Sequence, residues 1–116
     1  MIRRVTEQET EIRARMRDGH GSVTLHHFFK KEEITAKTRL CARLTLPPGA
    51  SIGPHQHTDE DELYVIIKGH GLLDDGTTRT PVGEGDAILT GNGASHAIAN
   101  AGDTDLEIIA VIMRYA

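Results

Sequence analysis

From Ser22 onward, short apolar runs alternate with clusters of glycine, proline and acidic residues. The run "SVTLHHFF" (22–29) alternates near its start, and "RLCARLTL" (39–46) sets Leu40, Ala42, Leu44 and Leu46 on one face of a strand. Pro47, Pro48 and Gly49 end that strand. "ELYVIIKG" (62–69), "GLLDDG" (71–76), "DAILTG" (86–91) and "SHAIAN" (95–100) follow, and "DLEIIAVIMRY" (105–115) comes last. About seven or eight short strands at near-regular spacing predict an all-β sandwich or barrel. Parallel β–α units would need helices between the strands, and no segment there has a helical period.

Before Ser22 the pattern is different. Thr6 and Glu9 have the spacing of a capping box, and Glu9 with Arg13 and Glu11 with Arg15 stand in the favourable i,i+4 order. Gly19 supplies a stop, so the spacing predicts one short helix over 6–17. Its apolar stripe is thin (Ile12, Met16 and Ala14), enough to dock on something larger but not to form a core. Residues 1–21 therefore read as an N-terminal arm with a short helix, and 22–116 as the β-barrel domain.

The last run is apolar on both faces: Leu106, Ile108, Ala110 and Ile112 on one, Ile109, Val111 and Met113 on the other. A strand buried on one side only should alternate apolar and polar. A second cover is expected, either the N-terminal arm or another subunit, and a homodimer is the commonest closed assembly.

Composition narrows the function classes. A chain of 116 residues suits one domain. Lys+Arg 13 against Asp+Glu 17, net −4, gives no electrostatic footprint for nucleic acid. No run approaches the roughly 20 apolar residues of a membrane-spanning helix. "MIRRVTEQETEIRARMRDG" is charged throughout and has no apolar signal region, so a cytoplasmic address is expected. Cys41, the one cysteine, cannot form an internal disulfide and reads as a small strand residue.

The candidate chemistry lies in "GASIGPHQHTDEDELYVIIKG" (49–69). Residues i and i+2 of a strand project from one face roughly 6.5 Å apart, so His55 and His57 share a space. Glu62 opens the next strand after "TDED", where a hairpin is expected to return it beside the histidines. Tyr64, inward on the same strand, is a candidate contact behind the ligands or with a substrate. His96, just past a glycine-rich turn, is expected to arrive from the opposite side of the barrel. Imidazole nitrogens with a carboxylate oxygen form a donor mixture that transition metals accept.

Two other readings compete: a solvated polar loop, and a facial triad of His57, Asp59 and His96. The triad discards His55 and places Asp59 in a turn, where Asp59, Glu60 and Asp61 read more simply as an exposed hairpin tip. His20 and His70 each sit between glycines and read as surface turns. His26 and His27 point to opposite faces of their strand, so at most one lines a cavity.

The chain resembles the cupin superfamily at both of that superfamily's motifs. The first, G-x5-H-x-H-x(3,4)-E-x6-G, is met by Gly49, His55, His57, Glu62 and Gly69. The second, G-x5-P-x-G-x2-H-x3-N, is met by Gly85, Gly93, His96 and Asn100. Gly91 stands at the proline position, a departure that bears on turn rigidity and not on metal binding. The resemblance implies a double-stranded β-helix (jelly-roll) barrel. It implies one divalent transition metal per chain (Mn, Fe, Ni, Zn or Cu) on His55, His57, Glu62 and His96. Four protein donors leave positions of a six-coordinate ion open, as catalytic metal sites require. The leading expectation is a metal-dependent enzyme acting on a small organic molecule, by dioxygenase, oxalate-type decarboxylase or isomerase chemistry. The alternative is a non-catalytic small-molecule-binding or sensing protein. The expected partner is a small molecule, not a nucleic acid or membrane.

Overall fold

Apolar side chains at every second position draw the chain into two antiparallel sheets packed face to face. The computed structural model describes residues 1–116 and contains ten strands. They are β1 (Glu9–Ala14), β2 (Ser22–His27), β3 (Thr38–Leu46), β4 (Ser51–Gln56) and β5 (Glu60–Lys68). β6 (His70–Asp74), β7 (Arg79–Gly83), β8 (Ala87–Gly91), β9 (Ser95–Asn100) and β10 (Leu106–Arg114) complete them. One sheet has the order β1-β2-β3-β10-β5-β8 and the other β4-β9-β6-β7, the jelly-roll arrangement expected. Leu25, Leu44, Ile66 and Ile108 from the larger sheet meet Ile52 and Ile98 from the smaller in one core. Asn100, the last residue of the second motif, ties a turn: its Nδ2 donates to the carbonyls of Leu46 and Thr104, each at 2.8 Å. No helix is long and apolar enough to cross a membrane.

The helix expected over 6–17 does not form. Residues 9–14 are instead an edge strand, in register with β2 from Glu9↔His27 to Ala14↔Ser22. A helix this short is marginal unless tertiary packing supports an apolar face. That support is missing, since Ile12 is 69 % exposed and only Met16 reaches the core. Pairing with β2 satisfies the backbone without an apolar stripe. The charges pair at strand spacing instead, with Arg13 Nε donating to Glu11 at 2.7 Å and His27 Nε2 lying 2.9 Å from the same carboxylate. β7 carries no sequence signal because Pro81 interrupts it, and it lies on a sheet edge, where proline is tolerated.

β10 runs through the middle of the larger sheet, hydrogen-bonded to β3 and β5. Its inner residues Leu106, Ile108, Ala110 and Ile112 are buried, and Ile109 and Val111 face outward half-buried. The arm does not cover that outer face, because β1 pairs at the far edge, beyond β2 and β3.

Between β1 and β2 the chain turns through Met16–Asp18 and packs on β4. Gly19 and Gly53 make this approach possible. A Cβ on Gly53 would stand 1.9 Å from the Arg17 carbonyl oxygen, and one on Gly19 would stand 2.1 Å from that of Ser51. Neither backbone atom can yield. Gly53→Ala is expected to cost about 2 kcal/mol through overpacking. Tm by circular dichroism should then fall by roughly 8 °C, whereas an unchanged Tm would show that the turn detaches freely.

Candidate metal centre

His55 lies on β4 and His96 directly opposite it on β9, so the ladder of the smaller sheet sets the two rings side by side. His57 follows the end of β4 and is held to the loop before β9: its N–H donates to the Ala94 carbonyl, and its own carbonyl accepts from Gly93. Glu62 and Tyr64 come from β5 in the other sheet. This corrects the expected layout. β4 and β5 do not form a hairpin; the chain crosses between the sheets, so Glu62 is the ligand that faces the histidines. His96 is their neighbour and does not come from the opposite side.

His57, Glu62 and His96 are buried, and the His55 side chain is nearly so. Glu62 Oε1 lies 2.9 Å from Nε2 of His57 and 2.9 Å from Nε2 of His96. His96 Nε2 lies 3.0 Å from Nε2 of both other histidines. His55 Nε2 and Glu62 Oε1 are farther apart, at 3.9 Å. Donors at right angles about an ion at about 2.1 Å stand about 3.0 Å apart, and tetrahedral donors about 3.4 Å. The donor separations of 2.9–3.9 Å leave room for one ion among them. These four residues could hold a metal ion.

The outer nitrogens explain why the inner ones are free. His55 Nδ1 is 2.8 Å from the Gly53 carbonyl, an acceptor only, so Nδ1 carries the hydrogen and Nε2 presents a lone pair. His57 Nδ1 is 2.6 Å from Glu60 Oε2 and donates to it in the same way. Glu62 Oε1 is buried with no hydrogen bond directed at it, despite its two close nitrogens, and His96 Nδ1 is also unpartnered. Lone pairs facing one another in a buried site repel unless a cation lies among them.

Charge follows the same logic. Burial alone would raise the Glu62 carboxyl, but the three imidazoles outweigh it and hold the pKa well below the usual range. Glu62 raises His57 above its ordinary value, against the effect of burial. Burial lowers His96. Tyr64 is 2 % exposed, and its ring stacks on His96 with centroids 4.9 Å apart. Burial, and then the Glu62 charge, push its phenol well above 10, so it stays protonated.

Sequence reading missed Glu60, placing it at an exposed hairpin tip. It is 8 % exposed and joins His57 to Arg39, whose guanidinium donates to both of its oxygens at 3.0 and 2.8 Å. The available signal was parity, since Glu60 shares an inward face with Glu62 and Tyr64 two and four positions on. Asp59 stands in an exposed turn with φ 59° and outside the donor group, which removes the facial-triad reading. Of the other histidines, His20, His26 and His70 do not line the metal cavity, whereas His27 does. That cavity, about 390 Å³, opens on His55, His57, Glu62 and Tyr64 and passes Leu44 and Ile112.

Comparisons with known proteins bear on the family and the fold. A family model described as "Cupin domain" matches residues 42–112. The chain is 43 % identical, over 97 % of its length and 93 % of the other's, to a protein of Thermotoga maritima named "Oxalate-binding protein". A crystal structure described as a predicted oxalate decarboxylase from Thermotoga maritima superposes with a TM-score of 0.93. The match covers 98 % of this chain and 99 % of that one, at 43 % identity. The polyketide cyclase RemF from Streptomyces resistomycificus shares the fold at 19 % identity, with a TM-score of 0.77 over all of this chain and 81 % of that one.

Arg39 holds the Glu60 carboxyl at about 2, against an ordinary 4.5. A carboxyl depressed by folding contributes stability that is present above about 4.5 and lost as pH falls toward 2. Metal-free protein should therefore lose urea stability over that window. Glu60→Gln should flatten the acid limb, and an identical acid limb in the variant would contradict the Arg39–Glu60–His57 connection.

Proposed function

Because the chain belongs to the cupin family, we propose that it holds one divalent transition metal on His55, His57, Glu62 and His96 and uses it to capture a small carboxylate such as oxalate. The observation that carries this is the convergence of three imidazole nitrogens and an unpartnered carboxylate oxygen, with two of the rings oriented from behind. The printed name of the 43 % identical relative supports oxalate as the first ligand to test. Imidazole suits Zn, Cu, Fe and Ni, and the carboxylate brings Mn into range. A bound ion supplies Lewis acidity toward the ligand's oxygens. The chain's own part is orientation and exclusion of water. Gly53 and Glu60 fix the rings of His55 and His57, and Leu44 and Ile112 dry the approach.

A second reading is oxalate decarboxylation, releasing formate and carbon dioxide. Tyr64 favours it, because breaking the carbon–carbon bond requires a proton for the new C–H bond. Tyr64 lines the cavity together with Glu62 and carries the hydroxyl that could meet this need.

We also infer a homodimer through the outer face of the larger sheet. Cross-strand neighbours Leu89, Leu63, Val111 and Cys41 form one row there, and Ala87, Val65 and Ile109 a second. Leu89 is 67 % and Ile67 41 % exposed. The charges bordering this face, Arg43 and Glu107, are paired at 2.7 Å and need no outside partner.

Elemental analysis should give one metal per chain in the native protein and almost none in His96→Ala. Calorimetry should detect oxalate binding only in the loaded form. Protons compete for the imidazoles, so metal affinity should fall below a pH of roughly 6. Assays for formate and carbon dioxide separate turnover from capture. Metal content that is unaffected by His96→Ala and constant down to pH 4.5 would defeat the reading. Light scattering should give twice the chain mass, with Leu89→Glu shifting it toward a monomer; a monomeric native protein would remove the dimer.

A further inference from the structure

We propose that Arg17 is the specificity residue of the cavity, receiving the anionic end of the ligand that the metal does not hold. The inference rests on the carboxylate reading above and deepens it. Five cationic side chains line the cavity: Arg13, Arg17, Lys30, Lys31 and Arg39. Three are already neutralised, Arg13 by Glu11 at 2.7 Å, Lys30 by Glu9 at 2.5 Å and Arg39 by Glu60 at 2.8 Å. Arg17 has no carboxylate within ion-pair distance and makes no side-chain hydrogen bond, so its guanidinium fork is unspent. It lines the cavity together with Tyr64 and the donors His55, His57 and Glu62, and its charge lowers the Tyr64 phenol against the effect of burial.

The backbone around Arg17 is held in a way that chance would not favour. Arg15, Arg17 and Asp18 all adopt left-handed φ, at 50°, 54° and 62°, between β1 and β2. Non-glycine residues in that region are strained and persist only where surrounding contacts over-determine them, which happens most often at ligand sites. The contacts are present here. The Arg17 carbonyl lies against Gly53, two residues from His55 on the same strand. Met16 is seated on the core, His20 N–H donates to Ser51 Oγ at 2.8 Å, and Ser51 N–H donates to the His20 carbonyl at 2.8 Å. These contacts couple the turn carrying Arg17 to the strand carrying His55. A free guanidinium on the wall of a cavity that reaches the donor group favours a ligand with two oxygen-bearing ends. Its planar fork matches a carboxylate bidentately, which an ammonium cannot do. Dicarboxylates and 2-oxo acids have this form; a simple monocarboxylate does not.

The test is calorimetry of oxalate and of acetate on Zn(II)- and Mn(II)-loaded protein, comparing the native chain with Arg17→Gln, Arg17→Lys and Lys31→Gln. Lys31→Gln removes the same charge from another residue of the cavity wall that, like Arg17, is exposed and lacks an ion-pair partner. Arg17→Gln should weaken oxalate at least about tenfold while leaving acetate affinity, metal content and Tm within error. Arg17→Lys should fall between the two, and Lys31→Gln should change oxalate by less than about twofold. In the Zn(II) form the Arg17 Nε–Hε resonance should shift on adding oxalate and not on adding acetate. Equal losses in Arg17→Gln and Lys31→Gln, or an Arg17→Gln protein that binds oxalate as the native one does, would overturn the role of Arg17 and leave the carboxylate reading standing. A native protein that binds oxalate with neither metal would overturn the carboxylate reading itself, and this inference with it.

Discussion

Three imidazole nitrogens and one carboxylate oxygen are pressed together in a buried cluster, and most of the molecule can be understood as the means of holding them there. Hydrogen bonds from Nδ1 to the Gly53 carbonyl and to Glu60 commit His55 and His57 to presenting lone pairs inward. Glu62 adds a full negative charge at 2.9 Å from two of the rings without receiving a hydrogen bond. Lone pairs and charge of one sign do not gather in a low-dielectric site of their own accord. A cation turns this repulsion into attraction.

The two-sheet architecture distributes that burden. Histidines come from the smaller sheet and the carboxylate from the larger, so the donor group bridges the layers where the hydrophobic core gives way to the cavity. Arg39 on β3 anchors Glu60, which anchors His57, so a chain of charge-assisted hydrogen bonds leads from a partly exposed guanidinium to the donor group. The N-terminal segment contributes from the other side. Its strand lengthens the large sheet, and its strained turn rests on β4 next to His55. Fold and site are therefore joined at both ends of the H-x-H segment.

Strand positions were legible from glycine punctuation and apolar alternation, because inward side chains must be apolar wherever one face of a sheet is buried. Two elements escaped for different reasons. The segment 9–14 carries helix-like charge spacing, yet helix and edge strand differ there by little local free energy, and an available sheet edge decided between them. Glu60 looked like a turn residue because its acidic neighbours are turn-like; its parity with Glu62 and Tyr64 points inward, and that parity applies because β5 begins at Glu60. Register also corrected the site: the local spacing suggested that Glu62 returns by a hairpin, whereas β4 pairs with β9.

By itself, the sequence carried the candidate donors as a set, through the two motifs in which His55, His57, Glu62 and His96 stand at the spacing the cupin resemblance implies. It also determined the all-β character, because alternation of apolar residues is a local property. Tertiary structure alone decided which sheet each donor comes from, which tautomers are locked, and that Glu60 and Arg17 belong beside the site. Those outcomes depend on contacts between residues far apart in the chain, where burial and pairing, not local preference, select the conformation.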